Sequence, residues 1–370
     1  MAQTQSYMRN MFLGAIAALS IFTGVAVSYL AVHAPPKSDF DSYSGQVLSA
    51  LRKEFGLVPH GRFFASDSPA VLELEKFYMV IVRIFKDLTL TTFGKGAFLF
   101  ISSMVGPIVT FAEVESVKPH ASIVMGGIAV TLIFFLGQLI CIGAALPIVY
   151  IPAVALVRAL RPRETFPQRA FAKSAFPLFQ LLQVLTGAPV LLTTLVPTDH
   201  KYFFLANTLF QFFPAAFVFL SLYKLCASNA PSVSSRDVAN LYREGRVSTT
   251  VLYWISLYFM GPTLLRLAQG SWVPFSDAVN LILWDALGVF MAFIFLVAID
   301  LVADPVPAGA VSRSNVHATG QSLVVGTLKG ALVSLVFGPG TAFNNYLAAR
   351  EEAVAPVHPG YEVVVEAKAQ

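Results

Sequence analysis

The chain has 370 residues, of which 56% are hydrophobic and only 12% are charged. Soluble globular proteins carry about 25% charged residues, so this composition excludes an ordinary soluble domain and indicates a protein built for lipid. Two cysteines offer neither a disulfide framework nor a metal-ligand spacing. The net charge of +4 does not indicate nucleic-acid binding, because the basic residues gather in short loops beside apolar segments.

Membrane-spanning segments are the main feature along the chain. A helix needs about 20 apolar residues to cross the hydrocarbon core of a bilayer. By this measure the sequence predicts an all-α, polytopic integral membrane helix bundle with about eight spans and one or two interfacial helices. The predicted spans are 11–33, 97–117, 122–145, 174–196, 202–224, 249–268, 278–300 and 321–342.

These spans divide the chain into four regions. Residues 1–33 are expected to form an N-terminal anchor, because the apolar run is longer than the core of a cleaved signal peptide. Residues 34–95 form a cytoplasmic or interfacial segment, 96–350 a seven-helix bundle, and 351–370 a short polar tail. Within the second region, 68–90 predicts an amphipathic helix on the membrane surface, although a packed helix between spans explains the pattern equally well.

The stretch 121–157 is apolar throughout and is interrupted by "ALPIVYIP". We interpret it as one span, 122–145, followed by a proline-broken segment that is partly buried or interfacial. Two short spans are the alternative, and they would reverse the orientation of every later span. Because 158–173 and 224–248 are rich in Lys and Arg, both loops are assigned to the cytoplasm. An eight-span chain then has both termini on the non-cytoplasmic side.

Familiar catalytic motifs give little guidance. The sequence contains no P-loop, GxSxG, HExxH or acid-rich magnesium motif, and its six histidines are scattered. Polar groups inside the spans are more informative, because such groups are costly in lipid and face the bundle interior. Asp285 is expected roughly 10 Å below the non-cytoplasmic end of its span. Glu113, Asn207 and Gln211 are expected in the same half of the membrane, with Asn207 and Gln211 on one helix face, and Asn280 is expected nearer the mouth.

Aromatic residues crowd the same predicted region. We expect Phe111, Tyr258 and Trp284 to line a substrate site together with the amides. A carboxylic acid kept away from water tends to hold its proton and can donate it, and aromatic faces stabilise a developing carbocation. In this scheme Asp285 is the proton donor, and Glu113 accepts the final proton or orients a nucleophile.

Two stretches carry a resemblance to a known family, namely "FISSMVGPIVTFAEVESVKP" at 100–119 and "NLILWDALGVF" at 280–290. In an eight-span chain of this size, they resemble the membrane-bound terpene cyclases of fungal meroterpenoid pathways, of the ascofuranone and ascochlorin kind. Related membrane proteins of fungal polyketide pathways are treated as epoxide hydrolases or cyclases.

The resemblance implies that an epoxide on a prenyl or polyene chain is opened by a proton, and that cyclisation or capture by water or a hydroxyl follows. It implies no metal, nucleotide or redox cofactor. The substrate would be a lipophilic small molecule that enters from the bilayer of the endoplasmic reticulum, with membrane lipids and pathway enzymes as further partners.

Two readings from other classes remain open at this point. A small-molecule transporter or exporter with a proton-coupled intramembrane acid also explains Asp285. Against a transporter, the two halves of the chain do not repeat one pattern. A structural or receptor-like membrane protein is the other reading, and the gathering of polar side chains at one depth weighs against it.

Overall fold

A computed structural model describes residues 2–33, 48–56, 68–117, 127–160, 187–200, 202–215, 218, 235–303 and 330–354. All secondary-structure elements in this part of the chain are helices, which confirms the all-α prediction. In chain order the helices are α1 Ala2–His33, α2 Leu48–Glu54, α3 Pro69–Leu90, α4 Thr92–Val117, α5 Gly127–Ile140, α6 Ile142–Leu160, α7 187–195, α8 Phe203–Gln211, α9 Ser235–Ala268, α10 Asp277–Ala303, α11 330–337 and α12 Pro339–Val354.

Several apolar helices make this a multi-pass membrane protein. Within the described residues, five segments are long and apolar enough to cross a bilayer. They are Ser6–Ala31, Thr92–Glu115, Ile142–Leu160, Asp237–Ala268 and Asp277–Ala303. The count of about eight is not confirmed, because the predicted spans 174–196, 202–224 and 321–342 lie partly outside the described residues.

The clearest apolar runs form helices close to the predicted positions. The predictions at 11–33, 97–117 and 278–300 correspond to α1, α4 and α10. The amphipathic stretch 68–90 forms α3, and Pro69 stands in its first turn, where a missing N–H costs nothing. Helix α9 is the exception, because it begins at Ser235, a full four turns before the predicted start at 249.

The prediction of a single span at 122–145 is wrong. The helix that begins at Gly127 ends at Ile140, and Cys141 follows with a φ of 75° and a ψ of 137°. That left-handed φ is rare outside glycine and ends the helix. The next helix, α6, crosses from Ile142 to Leu160 and tolerates Pro147 within a wider π-helical turn, Leu146–Tyr150. The helix is therefore interrupted at Cys141 and not at the prolines.

Buried charged residues bring four helix C-termini together at one end of the bundle. Glu115 of α4 is paired with Arg158 of α6 at 2.8 Å, and Asp300 of α10 with Arg350 of α12 at 2.9 Å. Arg350 is also paired with Glu115. We call Glu115, Arg158, Asp300 and Arg350 the charged end. Helices α4, α6, α10 and α12 consequently run in the same direction.

Helix α9 runs opposite to α12. Arg246 donates to the side-chain oxygen of Asn345, the Thr249 and Thr341 hydroxyls lie 3.0 Å apart, and the Tyr253 hydroxyl donates to a carbonyl of α11. At the far end from the charged residues, Phe93 at the start of α4 stacks on Phe275 just before α10, with ring centroids 4.7 Å apart. We call this the aromatic end.

Parallel α4 and α10 contradict the orientation predicted from the sequence. An eight-span chain places the C-terminal ends of 97–117 and 278–300 on opposite faces of the membrane. The structure joins both ends through Arg350, so they lie on the same face. The chain therefore crosses the membrane an even number of times between them, whereas the eight-span prediction requires an odd number. The helix that ends before Cys141 shows one source of the difference, because the prediction assigns a single span within 121–157.

Candidate active site

A cavity of about 650 Å³ lies inside the helix bundle. Its lining runs along α4 from Phe98 to Thr110, which corresponds to about 18 Å of helix. The other walls come from α3, α5, α9 and α10, with one or two residues each from α1, α6, α7, α8 and α12. Small-molecule sites commonly have volumes of about 300–1,000 Å³, so this elongated space suits a lipophilic ligand of that size.

Aromatic and aliphatic side chains form most of the cavity wall. Six phenylalanines from α3, α4, α5, α8 and the turn after α8 line the cavity, namely Phe77, Phe85, Phe98, Phe134, Phe210 and Phe213. Phe98 and Phe210 meet edge to face with their centroids 4.9 Å apart. Such a wall presents both ring faces and ring edges to whatever occupies the cavity.

Charged side chains are few among the described lining residues. They are Glu73 and Lys76 on α3 and Asp285 on α10. Asp285 is 6% exposed and lies eight residues inside α10, within a membrane-spanning segment. The sequence prediction that Asp285 faces the bundle interior therefore agrees with its position in the cavity wall.

The Asp285 carboxylate holds the start of α6. The backbone N–H of Gly143, the second residue of α6, donates to Asp285 Oδ1. The first N–H groups of a helix have no acceptor within that helix, and in a membrane no water replaces it. Asp285 therefore supplies, from a different helix, the cap that α6 needs where it begins inside the bundle.

Two glycines allow this contact. A Cβ on Gly143 would overlap the backbone carbonyl of Asp285, and one on Gly288 would overlap the carbonyl of Gly143. The backbones of α6 and α10 touch at this crossing, as in membrane helix pairs that pack through small residues. The crossing fixes Asp285 against the α6 N-terminus and leaves the carboxyl group in the cavity wall.

Cys141 was missed by sequence reasoning. It is a free, half-buried cysteine in the cavity lining, directly before α6. Its left-handed φ of 75° determines where α5 ends, and a non-glycine residue gives no sign of such a φ in the sequence. The two glycines of the crossing were equally invisible, because their contacts join segments far apart in the chain.

Glu113 does not share the cavity with Asp285 in the described structure. It is fully buried two residues before Glu115, at the charged end. Asp285 precedes Asp300 on the same helix by about 22 Å of helix axis. The prediction that the two acids lie at one depth is therefore wrong, because α4 and α10 are parallel and not antiparallel.

The amides of α8 also lie outside the described lining. Asn207 and Gln211 are buried and within 3.4 Å of each other, on one helix face as predicted. Phe210, from the same helix, lines the cavity instead. Helix α8 ends at Gln211, and Pro214, which has no N–H to donate, follows in a short 3-10 turn.

The remaining predicted binding residues are dispersed. Phe111 is buried at the charged end, where the Arg350 guanidinium lies 5.4 Å from its ring centroid. Tyr258 is 79% exposed on the outer surface of α9. Asn280 and Trp284 are half-buried on α10 and do not belong to the described cavity lining. Of the predicted site residues, Asp285 alone reaches the cavity within the described structure.

Comparison with protein-family models, with curated proteins and with solved structures finds no match to this chain. The resemblance of 100–119 and 280–290 to fungal terpene cyclases therefore stays a prediction. The function has to be argued from the cavity and from the side chains that line it.

Proposed function

We propose that this protein is an intramembrane enzyme that opens an epoxide on a lipophilic prenyl or polyene chain and then cyclises or hydrates it. The observation that carries this proposal is the position of Asp285, a carboxyl group inside a membrane-spanning helix and in the wall of a long, largely apolar cavity. A carboxyl group inside a membrane-spanning helix is energetically unfavourable, and such groups usually have a functional role.

Proton donation follows from the hydrogen bonding of the carboxyl group. Because Oδ1 accepts the Gly143 N–H, the transferable proton of Asp285 is carried by Oδ2. The epoxide oxygen takes this proton while its bond to the more substituted carbon breaks, which leaves a hydroxyl group and a carbocation. The Gly143 N–H and the partial positive charge of the α6 N-terminus stabilise the carboxylate as it forms.

The cavity wall suits the cation that results. Phe98, Phe134 and Phe210 line the space, and aromatic faces attract a cation by about 0.5–2 kcal/mol each. A double bond of the substrate or a water molecule then captures the carbocation. Capture by a double bond moves the positive charge to another carbon, which is quenched when an adjacent C–H bond loses its proton, and capture by water gives an oxonium ion that loses a proton. In both cases the proton returns to Asp285. The reaction is an isomerisation or a hydration and consumes no oxidant or reductant.

One acid serves both proton transfers in this scheme. The paired-acid version, with Glu113 as the second acid, loses its support because Glu113 lies near Glu115 at the charged end. The charge-paired residues of that end are better understood as holding helices together. With a single acid, Asp285 first donates its proton and then, as a carboxylate, accepts one back. The cycle above has this order.

Two substitutions of Asp285 separate its structural role from its chemical role. Asp285→Asn keeps an oxygen for the Gly143 N–H but has no acidic proton, whereas Asp285→Ala removes both. Membranes containing each protein are incubated with a prenyl chain that bears a terminal epoxide, and products are identified by mass. We expect Asp285→Asn to retain the fold and lose turnover by about 100-fold or more. Parent-like turnover by Asp285→Asn would end the proposal.

The same experiment tests the transporter reading. A carrier would move the epoxide across a sealed vesicle and leave its mass and connectivity unchanged. Isomeric or water-added product in open membrane fragments, where no gradient exists, favours the enzyme. Movement of unchanged epoxide without any product favours the carrier.

A further inference from the structure

We infer that the cavity binds an amphiphile with one acidic head group, held by Lys76, and with an apolar chain that extends along α3 towards Asp285. This inference deepens the proposed function by naming the substrate class, and it rests on that function only for the fate of the chain. The recognised chemistry is a single oxyanion, such as a carboxylate or a phosphate, on a long apolar chain.

The charges of α3 support this assignment because two of its three basic residues are already paired. Arg52 of α2 forms a buried salt bridge with Glu75 at 2.7 Å. Glu54 of α2 pairs with Arg83 at 3.3 Å and with Lys86 at 2.9 Å. These contacts hold α2 against α3.

Lys76 differs from the other cations of α3. It is half-buried in the cavity lining, and no carboxylate in the described part of the chain lies within salt-bridge distance of it. A half-buried ammonium group without a counter-ion binds an anion more strongly than an exposed one, because the local dielectric is lower. Lys76 is therefore the position where the cavity lining offers an acidic group a partner.

The wall beyond Lys76 continues as an apolar stripe. Phe77, Val80, Ile84 and Phe85 recur at helical spacing on the cavity side of α3. Phe85 lies about 13 Å along the helix from Lys76 and contacts Phe98 at 5.3 Å between ring centroids. A cation followed by a long apolar wall matches a head group followed by a chain.

Glu73 also lines the rim, one turn before Lys76. It is exposed, whereas Lys76 is half-buried, so an acidic head group that reaches the cavity interior lies closer to the cation. The carboxylate at the rim still repels an anion. Removal of its charge should strengthen the binding of an acid, and removal of the Lys76 charge should weaken it.

Binding of radiolabelled hexadecanoate to the purified protein at pH 8 in a non-ionic detergent tests the head-group site. Lys76→Gln should weaken hexadecanoate binding by about tenfold, the usual effect of losing a charged hydrogen bond, and Lys76→Arg should preserve it. Glu73→Gln should strengthen binding by a few-fold. Methyl hexadecanoate, which has no charge, should bind the parent and Lys76→Gln equally.

Lys86→Gln is the matched control. It removes the same charge from the same helix, but at a position that pairs with Glu54 and lies outside the described cavity lining. It should leave hexadecanoate binding unchanged. Equal losses of hexadecanoate binding in Lys76→Gln and Lys86→Gln would mean that binding depends on the overall charge of α3 and not on Lys76, which would overturn the inference.

Two further arms separate the outcomes. Dihexadecanoyl phosphatidate, with two chains, should bind more weakly than hexadecanoate. Tighter, Lys76-dependent binding of phosphatidate would identify a bound membrane lipid and contradict the inference. If Lys76 governs binding while the parent converts no epoxide, the proposed function fails and the head-group site stands. If the parent converts epoxides and Lys76→Gln binds acids equally well, only the head-group site fails.

Discussion

The charged end and the cavity both bury carboxylates, and they surround them differently. At the charged end, Glu115 and Asp300 each contact the guanidinium groups of Arg158 and Arg350. In the cavity, Asp285 has the N–H of Gly143 as its hydrogen-bond donor and no salt bridge among the described residues. The first arrangement neutralises charge and fixes helices. The second leaves an acid whose proton can be exchanged with a ligand.

This contrast shows why burial alone does not identify a catalytic acid. Glu113 and Glu115 are less exposed than Asp285, yet neither is in the described cavity lining, and Glu115 is paired with the arginines that join four helices. Asp285 adjoins open space of about 650 Å³. The distinguishing property is access to a cavity, which requires knowledge of the helix directions.

The largest expected effect is an all-or-none difference in membrane sidedness. Because Arg158 and Arg350 both contact Glu115, the C-terminal ends of α6 and α12 lie at one end of the bundle. The basic residues of 158–173 assign that end to the cytoplasm. Glycosylation acceptors inserted after Leu160 or after Val354 should both stay unmodified in microsomes, in contrast to the sequence prediction of a non-cytoplasmic C-terminus.

An acceptor inserted between α9 and α10, at 269–276, serves as the positive control and should be modified. Modification of only one of the two cytoplasmic acceptors would contradict the parallel arrangement of α6 and α12.

The next largest effect is expected from breaking the charged end. Arg158→Met should leave Glu115 and Asp300 short of a cation inside the bundle and destabilise the protein by about 3–5 kcal/mol. Thermal unfolding in detergent measures the loss. Arg243→Met removes an exposed pair with Glu352 and should cost at most about 1 kcal/mol. Equal losses in the two variants would remove the distinction between a buried network and a surface pair.

A smaller effect is expected at the helix crossing that holds Asp285. Gly288→Ala forces a methyl group against the Gly143 carbonyl and should destabilise the protein by about 1–3 kcal/mol. Turnover should fall with it, because Asp285 moves relative to α6. Gly14→Ala is the control, because no atom outside its chain neighbours and its own helix backbone lies within 4 Å of the added carbon, and Ala favours a helix more than Gly does; it should not destabilise the protein. A stable, active Gly288→Ala protein would mean that the crossing does not position the acid.

The smallest effect concerns the attachment of α3, the helix that carries Lys76. The Tyr78 hydroxyl donates to Thr208 Oγ1 at 2.6 Å, and burial raises the pKa of Tyr78 to about 12 despite that hydrogen bond. Tyr78→Phe should cost about 1 kcal/mol at neutral pH. Because the folded-state pKa is raised, the parent should lose stability between about pH 10 and 12, and Tyr78→Phe should lose less over that window. Parallel pH profiles would show that Tyr78 is ionised equally in both states.

Much of the helical content could be predicted from the sequence, because long apolar runs around α1, α4 and α10 leave few alternatives. The start of α9 could not be predicted, because its first turns include Arg236, Asp237 and Arg243. So many charged residues do not fit the apolar run that a span requires. The break at Cys141 was missed because it depends on one backbone dihedral angle. Both errors concern boundaries, where local composition is least informative.

The candidate site was harder to predict than the helices. Asp285 could be identified because a lone acid inside an apolar run is conspicuous. Glu113 was paired with it because α4 and α10 were expected to run antiparallel, and Tyr258 was included for its aromatic character although it is 79% exposed. Lys76 and Cys141 reach the cavity only through contacts between distant segments, which one sequence does not encode visibly.

The central claim is that Asp285, which lines the cavity, has a chemical role that Glu113, a buried acid outside the described lining, does not have. It is tested most directly by comparing Asp285→Asn with Glu113→Gln, two variants that exchange a carboxyl group for an amide. Both are assayed in the same membranes for conversion of a terminally epoxidised prenyl chain, normalised to the amount of folded protein. The account predicts that Glu113→Gln converts the epoxide at a rate within a few-fold of the parent, while Asp285→Asn falls by about 100-fold or more. Equal activity of the two variants, or loss confined to Glu113→Gln, would contradict it.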